Sequence, residues 1–163
     1  MPCAKVLFVC TGNICRSPTA ELVFRALIAR TKLDAWVATD SAATHDYQLG
    51  QRPDPRALSA LRRRGYTLGS HVARQVDARD FSRFDWILAM DRHNLAALQS
   101  LQPRTYRGRL ALFLDFAPQQ PLREVPDPYY GTAEDFERVL DLAENGAAAL
   151  LDAVRAHLAP RAH

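Results

Sequence analysis

Residues 4–30, AKVLFVCTGNICRSPTAELVFRALIAR, contain the change of pattern that decides the fold. Residues 4–10 form a short apolar run, typical of a strand that is buried on both faces. In residues 18–30 the apolar side chains recur at helical spacing, with Ser17 as the expected N-cap and Pro18 as the first helical residue. A strand, a tight loop and a helix in this order predict the opening of a βαβ unit.

The same alternation continues along the chain. Further strands are predicted at residues 36–39, 86–90 and 110–114. Helices are predicted from Asp54-Pro55 to Gly65 and over residues 93–101, and a last helix runs from a capping box at Thr132 and Asp135 towards Leu158. This order predicts a three-layer α/β fold, with a four-stranded parallel sheet and helices on both faces. Ligands of such sheets bind beyond the carboxyl ends of the strands, where the first loop and residues 118–128 both lie.

Length and composition predict a single domain over residues 1–163. Of the 163 residues, 48% are hydrophobic and 24% are charged, which is typical of one globular domain with a buried core. The chain has no apolar run of about 18 residues, so we expect no membrane-spanning helix. Its three cysteines, Cys3, Cys10 and Cys15, are clustered and odd in number, which argues against a disulfide framework. Together with the lack of a basic leader, this pattern predicts a cytoplasmic protein.

The loop between the first strand and the first helix has the features of an anion site. Residues 10–16, hereafter the phosphate loop, consist of a cysteine, five residues and an arginine. Free N–H groups and the dipole of the following helix favour an anion here, and Gly12 allows the backbone to curl around it. The predicted phosphate-binding residues are Thr11, Gly12, Asn13, Ile14, Cys15, Arg16 and Ser17.

The same setting gives Cys10 and Arg16 chemical roles. Peptide dipoles and Arg16 stabilise a thiolate, the nucleophilic form of Cys10. The planar guanidinium of Arg16 binds two phosphoryl oxygens at once. The hydroxyl of Ser17 either donates to the sulfur of Cys10 or only caps the helix. The alternative for Cys10 is a small apolar side chain packed at the end of a strand.

A second loop offers a proton donor. In residues 125–130, VPDPYY, two prolines flank Asp127 and keep it extended, and a carboxyl held in this way can protonate a leaving group. Tyr129 and Tyr130 follow and can enclose a phenyl ring. The alternative is a turn aspartate followed by two tyrosines that pack on the core.

Residues 9–21, VCTGNICRSPTAE, and residues 127–131, DPYYG, resemble the low-molecular-weight protein tyrosine phosphatases. The resemblance implies a flavodoxin-like fold and hydrolysis of phosphotyrosine and small aryl phosphates through a phosphocysteine. It implies Cys10 as nucleophile, Arg16 as phosphoryl-binding residue and Asp127 as general acid and then base, with no metal and no cofactor.

The resemblance also implies roles for residues around these three. Asn13 would hold the loop in shape, with Ser41 and His71 in the supporting network. Cys15 would form a reversible disulfide with Cys10. The residues implied to line the substrate crevice are Thr11, Tyr47, Tyr129 and Tyr130.

Three other functions remain as alternatives. Thiol-dependent arsenate reductases share the loop but need two further downstream cysteines, and none follows Cys15. Related arginine phosphatases tend to carry Thr where this chain has Ile14. A nucleic-acid-binding module would explain the isoelectric point of about 9.0, but the net charge is only +3 and no binding motif is present. We therefore expect phosphotyrosine proteins or aryl phosphates as partners, no nucleic acid or membrane, and a monomer with at most weak self-association.

Overall fold

The computed structural model describes residues 3–159, in which four strands form one parallel sheet. The strands are β1 (Ala4–Cys10), β2 (Val37–Ala43), β3 (Trp86–Ala89) and β4 (Arg109–Leu112), and they lie in the order β2-β1-β3-β4. The α-helices are α1 (Arg16–Arg30), α2 (Pro55–Arg63), α3 (Arg92–Leu101) and α4 (Ala133–Leu158), and 3-10 turns cover Ala78–Ser82 and Phe113–Phe116. The predicted four-stranded parallel sheet is confirmed, and its strand order is that of a flavodoxin-like fold.

The two faces of β1 are covered by separate apolar cores, as its alternating side chains require. Val6 and Phe8 belong to the core under α1, α2 and α4, whereas Leu7 and Val9 belong to the core under α3. The ring of Phe8 makes edge-on contacts with Phe24 and Phe113, at centroid distances of 5.8 and 5.6 Å. Both cores therefore fix β1, and with it the position of the loop that follows.

Helix α4 contains a glycine in its middle because Phe113 lies against it. A Cβ on Gly146 would lie 2.5 Å from Cζ of Phe113, so any other residue at this position would force the helix or the ring of Phe113 to move. The predicted start of this helix is confirmed, since Thr132 and Asp135 form a reciprocal capping box. No helix within residues 3–159 combines the length and apolar character of a membrane span.

Strand β2 is longer than its sequence predicts. The expected strand ended at Thr39, but Asp40, Ser41 and the two alanines after them continue to pair with β1 as far as Cys10. These residues have low strand propensity, so their conformation comes from pairing with β1 rather than from local preference. The extension carries Ser41 to the carboxyl edge of the sheet.

The start of α1 also differs from its prediction. The helix begins at Arg16, and Cys15 is the N-cap without a side-chain capping hydrogen bond, so Ser17 is not the cap and Pro18 is not the first helical residue. Pro18 still lies in the first turn, where a missing N–H costs nothing. The early start places Ser17 inside the helix with its hydroxyl towards Cys10.

Candidate active site

The phosphate loop lies at the carboxyl edge of the sheet and curls around the sulfur of Cys10. The backbone N–H of Asn13 donates to Cys10 Sγ at 3.3 Å, and Ser17 Oγ lies 3.0 Å from the same sulfur. Asn13 has a φ of 59°, in the left-handed region, which turns the loop back on itself. Cys10 is 2% exposed and lies at the base of this loop.

Asn13 holds the loop through both ends of its buried amide. Nδ2 donates to Ser17 Oγ and to Ser41 Oγ, both at 2.9 Å. Oδ1 accepts from Nε2 of His71 at 2.9 Å and from the backbone N–H of Arg74 at 3.2 Å. Because Oδ1 accepts, His71 carries its proton on Nε2, and burial lowers the pKa of this histidine so that the neutral ring is favoured.

Arg16 is buried and fixed by contacts on both terminal nitrogens. Nη1 donates to Oδ2 of Asp91 at 2.6 Å and to the carbonyl of Val125 at 3.0 Å, and Nη2 donates to Oγ1 of Thr11 at 3.3 Å. Burial alone would lower the pKa of Arg16, but Cys10 and Asp91 outweigh it and raise that pKa. The guanidinium is therefore a permanent cation held in one orientation beside the sulfur.

The loop of residues 125–131, hereafter the acid loop, lies over the same edge. The N–H of Val125 donates to the carbonyl of Met90 at 2.8 Å, which ties the loop to the end of β3. Oδ1 of Asp127 accepts from the N–H of Tyr129 at 3.1 Å, and its Oδ2 lies 3.6 Å from Nη2 of Arg16. The carboxyl of Asp127 is half exposed and lies on the solvent side of the Arg16 guanidinium.

A cavity of about 350 Å³ lies between the two loops. Its walls are formed by the phosphate loop and by Tyr47, Gln48, Asp127, Tyr129 and Tyr130. Tyr130 is 96% exposed and Tyr129 36% exposed, which excludes the alternative that both acid-loop tyrosines pack on the core. The cavity therefore has a thiol and a guanidinium at its base and aromatic rings at its mouth.

Comparisons with known proteins agree with this geometry. The model of the family described as low molecular weight phosphotyrosine protein phosphatase matches residues 5–159. The chain belongs to this family. A pig phosphatase of that description is 45% identical over 93% of this chain and 96% of its own length. A low molecular weight protein-tyrosine-phosphatase of Bacillus subtilis is 39% identical over 93% of this chain and 96% of its own.

Solved structures of similar proteins have the same fold. A protein tyrosine phosphatase from Entamoeba histolytica, with Hepes in the active site, superposes with a TM-score of 0.90 at 39% identity, covering 94% of this chain and 98% of that one. An arginine phosphatase from Drosophila superposes with a TM-score of 0.86 at 29% identity, covering 93% of this chain and 98% of that one. The predicted fold and the predicted activity, a protein-tyrosine phosphatase and therefore a hydrolase, are confirmed.

Several site residues of this phosphatase were not predicted from the sequence. Asp91 binds Arg16 and also accepts from the backbone N–H of Asn94 at the start of α3, at 2.8 Å. The amide of Asn94 donates to Oγ1 of Thr11 at 3.1 Å, and Gln48 lies in the cavity wall. The one available signal was the position of Asp91, directly after a buried strand at the ligand-binding edge of the sheet.

Cys15 lies in the same loop of the phosphatase but in a different environment from Cys10. It is buried, and burial together with the negative charge of Asp54 raises the pKa of its thiol. Cys10 and Asp127 act in the same direction. Cys15 therefore stays a protonated thiol at neutral pH, and neither Cys10 nor Cys15 forms a disulfide in the structure.

One group of side chains outside the cavity has the composition of a metal site. Within residues 3–159, Glu21, Asp40 and His71 bring ligand atoms within 4.8 Å of one another, beside a second cavity of about 1190 Å³. Burial and the charge of Asp40 raise the pKa of Glu21. Asp40 is already bound by Arg74 Nε at 3.0 Å and by the N–H of Ser41 at 2.8 Å, so part of its carboxylate is committed to the protein.

Proposed function

We propose that this tyrosine phosphatase uses Cys10 as its nucleophile, Arg16 to bind the phosphoryl group and Asp127 as the proton donor. The observation that carries the proposal is the cavity in which the three meet, with Cys10 at the base and the Asp127 carboxyl 3.6 Å from the Arg16 guanidinium. A phosphoryl group seated against Arg16 lies between a nucleophile and an acid. This is the arrangement that in-line displacement of a phenol requires.

The resting loop is arranged to hold a thiolate. Nδ2 of Asn13 donates to Ser17 Oγ, so the hydrogen of the Ser17 hydroxyl is left for Cys10 Sγ. The N–H of Asn13 is a second donor to the same sulfur. Two donors and the adjacent charge of Arg16 stabilise the anion without a metal or a general base.

In the first step, Cys10 Sγ attacks phosphorus and the bond to the aryl oxygen breaks. The leaving oxygen takes the proton of the Asp127 carboxyl, so a phenol departs rather than a phenolate. Arg16 keeps two hydrogen bonds to the equatorial oxygens as charge develops on them. The products of this step are the phenol and a phosphocysteine.

In the second step, a water molecule gives a proton to the Asp127 carboxylate and attacks phosphorus, and the bond to Cys10 Sγ breaks. The sulfur leaves as a thiolate, which the hydroxyl of Ser17 and the N–H of Asn13 stabilise. Phosphate is released, and Asp127 is protonated again for the next turnover.

The walls of the cavity support a preference for aryl phosphates. Tyr129 is 36% exposed, and its ring centroid lies 4.9 Å from that of Tyr130. Tyr47 stacks on His45 at 5.0 Å on another part of the rim. A phenyl ring entering the cavity meets aromatic side chains, with which it packs favourably.

The direct test of this function is hydrolysis of a phosphotyrosine peptide by the purified protein, with and without EDTA. We expect turnover that EDTA does not reduce, and little turnover of phosphoarginine or arsenate. Cys10→Ser is expected to abolish turnover while retaining binding of inorganic phosphate. Turnover of Cys10→Ser at the wild-type rate would contradict the proposal.

We also propose that Cys15 protects Cys10 from over-oxidation. A peroxide oxidises the Cys10 thiolate to a sulfenic acid and is itself reduced to water or an alcohol. The sulfur of Cys15 then attacks Cys10 Sγ while its proton passes to the departing hydroxyl, so that water leaves and a disulfide forms. After peroxide treatment of Cys15→Ser, dithiothreitol is expected to restore little of the phosphatase activity. Full recovery of the activity would contradict this role.

The remaining expectations concern organisation and partners. A single sheet carries both cores, which supports one domain over residues 1–163, of which 1, 2 and 160–163 lie outside the described part. A cytoplasmic location, a monomeric state with weak self-association, and no binding of nucleic acid or membranes stay predictions.

A further inference from the structure

Arg56 lies between the phosphate loop and the acid loop, behind the residues that line the cavity. Its guanidinium binds the carboxylate of Asp54 with two hydrogen bonds, from Nε to Oδ1 at 3.1 Å and from Nη2 to Oδ2 at 2.8 Å. Nη2 also donates to the backbone carbonyl of Tyr129 at 2.9 Å. One planar group therefore joins Asp54 to Tyr129, which lies 73 residues after Arg56 in the chain.

The Asp54 end of this link is fixed to the phosphate loop. The N–H of Asp54 donates to the carbonyl of Ile14 at 2.8 Å. Its carboxylate is only 7% exposed and also accepts from the N–H of Arg56 at 2.8 Å, as the N-cap of α2. Arg56, through the side-chain hydrogen bond, lowers the pKa of Asp54, so the carboxylate stays ionised at neutral pH.

The other end of the link is fixed to the acid loop. Tyr129 accepts from Arg56 with its carbonyl and donates to Asp127 Oδ1 with its N–H, so Arg56 and Asp127 bind the same backbone residue. Cζ of Arg56 also lies 4.5 Å from the ring centroid of Phe136 and 5.7 Å from that of Tyr129. These contacts hold the guanidinium in one plane against α4 and the acid loop.

We infer that Arg56 is a positioning residue that sets the distance between the phosphate loop and the carboxyl of Asp127. It controls proton transfer to the leaving group without contacting the substrate. The inference rests on the proposed role of Asp127 as the acid. Proton transfer needs a donor and an acceptor within about 3 Å, and Asp127, which is half exposed, does not reach that precision by its own packing.

The fork of arginine is required at this position. A lysine side chain in place of Arg56 would keep the positive charge but could not bind both oxygens of Asp54 and the carbonyl of Tyr129 in one plane. Arg56→Lys therefore separates an effect of geometry from an effect of charge.

The experiment measures kcat/KM for Arg56→Lys and Arg56→Gln over aryl phosphates whose phenols have pKa values from about 7 to about 10. Poor leaving groups need the proton, so for these we expect a loss of about tenfold, and for good leaving groups a loss of less than about twofold. The inhibition constant of inorganic phosphate is expected to stay within about twofold of wild type, because the phosphate loop is intact.

Arg63→Lys and Arg63→Gln are the matched controls. Arg63 lies on the same helix, is exposed and pairs with Glu137 at 2.9 Å, away from the acid loop. These variants are expected to match wild type with every leaving group. Thermal unfolding of all four variants shows whether a loss reflects reduced folding. An equal loss with every leaving group, or wild-type rates for Arg56→Lys, would overturn the inference.

Asp127→Asn separates this inference from the proposed function. If Asp127→Asn is sensitive to the leaving group and the Arg56 variants are not, the acid role of Asp127 stands and the role of Arg56 is wrong. If Asp127→Asn shows no such sensitivity, the acid role itself fails and the inference falls with it. The double variant Asp127→Asn with Arg56→Gln is expected to be no more sensitive to the leaving group than Asp127→Asn alone. Additive effects of the two substitutions would overturn the positioning role.

Discussion

The phosphate loop and the acid loop border the same cavity but are held in different ways. In the phosphate loop, Asn13 is fully buried and its side chain makes four hydrogen bonds, so the backbone donors are fixed before any ligand arrives. In the acid loop, Asp127 is half exposed and is held by one backbone N–H and by an ion pair of 3.6 Å with Arg16. The phosphoryl site is therefore preorganised, whereas the proton donor depends on a few contacts.

The largest expected effect comes from breaking the preorganised side. Lysine in place of Arg16 cannot bind Asp91, the Val125 carbonyl and Thr11 and still offer two donors to phosphate. We expect Arg16→Lys to lower kcat/KM by about 100- to 1000-fold with every aryl phosphate, measured by release of the phenol. Arg63→Lys is the control and is expected to match wild type. A loss of kcat/KM below about tenfold in Arg16→Lys would show that a positive charge alone suffices at this site.

A smaller and more selective effect is expected on the acid side. Asp127→Asn keeps the shape of the side chain and the contact with Tyr129 but removes the transferable proton. We expect a loss of at least about 100-fold for poor leaving groups and much less for good ones. A plot of log kcat/KM against the phenol pKa should become steeper. An unchanged slope would mean that the proton comes from another group.

The smallest expected effect is a pH dependence of the network behind the phosphate loop. Burial lowers the pKa of His71 below that of a free histidine, so the folded state favours the neutral ring. The contribution of the neutral ring to the free energy of unfolding is therefore fully present above the unfolded pKa of about 6.5. That contribution is lost as the pH falls through the lower, folded value. The free energy of unfolding, measured with urea, should thus decrease on acidification more in wild type than in His71→Gln. Equal decreases would contradict the network role of His71.

The elements that local patterns specify were predicted from the sequence. Strand β1 was predicted with its observed bounds, because an apolar run that ends at a Cys-Thr-Gly loop has one simple interpretation. The capping box at Thr132 and Asp135 likewise fixed the start of α4. These features depend on residues close together in the chain, which is where propensity and spacing are informative.

Apart from the start of α1, the missed features depend on contacts between distant parts of the chain. The second half of β2 is a strand because β1 pairs with it, not because of its own residues. The role of Asp91 follows from its position beside Arg16, which is 75 residues away. The link through Arg56 likewise needs the fold to bring Asp54 and Tyr129 together. No spacing rule encodes such contacts, and the sequence signals only that Asp91 directly follows a buried strand at the ligand-binding edge of the sheet.

The measurement that tests the central claim most directly is capture of the covalent intermediate. Wild-type protein is mixed with an aryl phosphate whose phenol is a good leaving group, quenched in acid during turnover and digested for mass spectrometry. We predict one phosphoryl group on the peptide that contains Cys10, on the sulfur of that residue and absent in Cys10→Ser. Turnover without a phosphorylated Cys10 at any quench time, or a phosphoryl group on another residue, would contradict the mechanism.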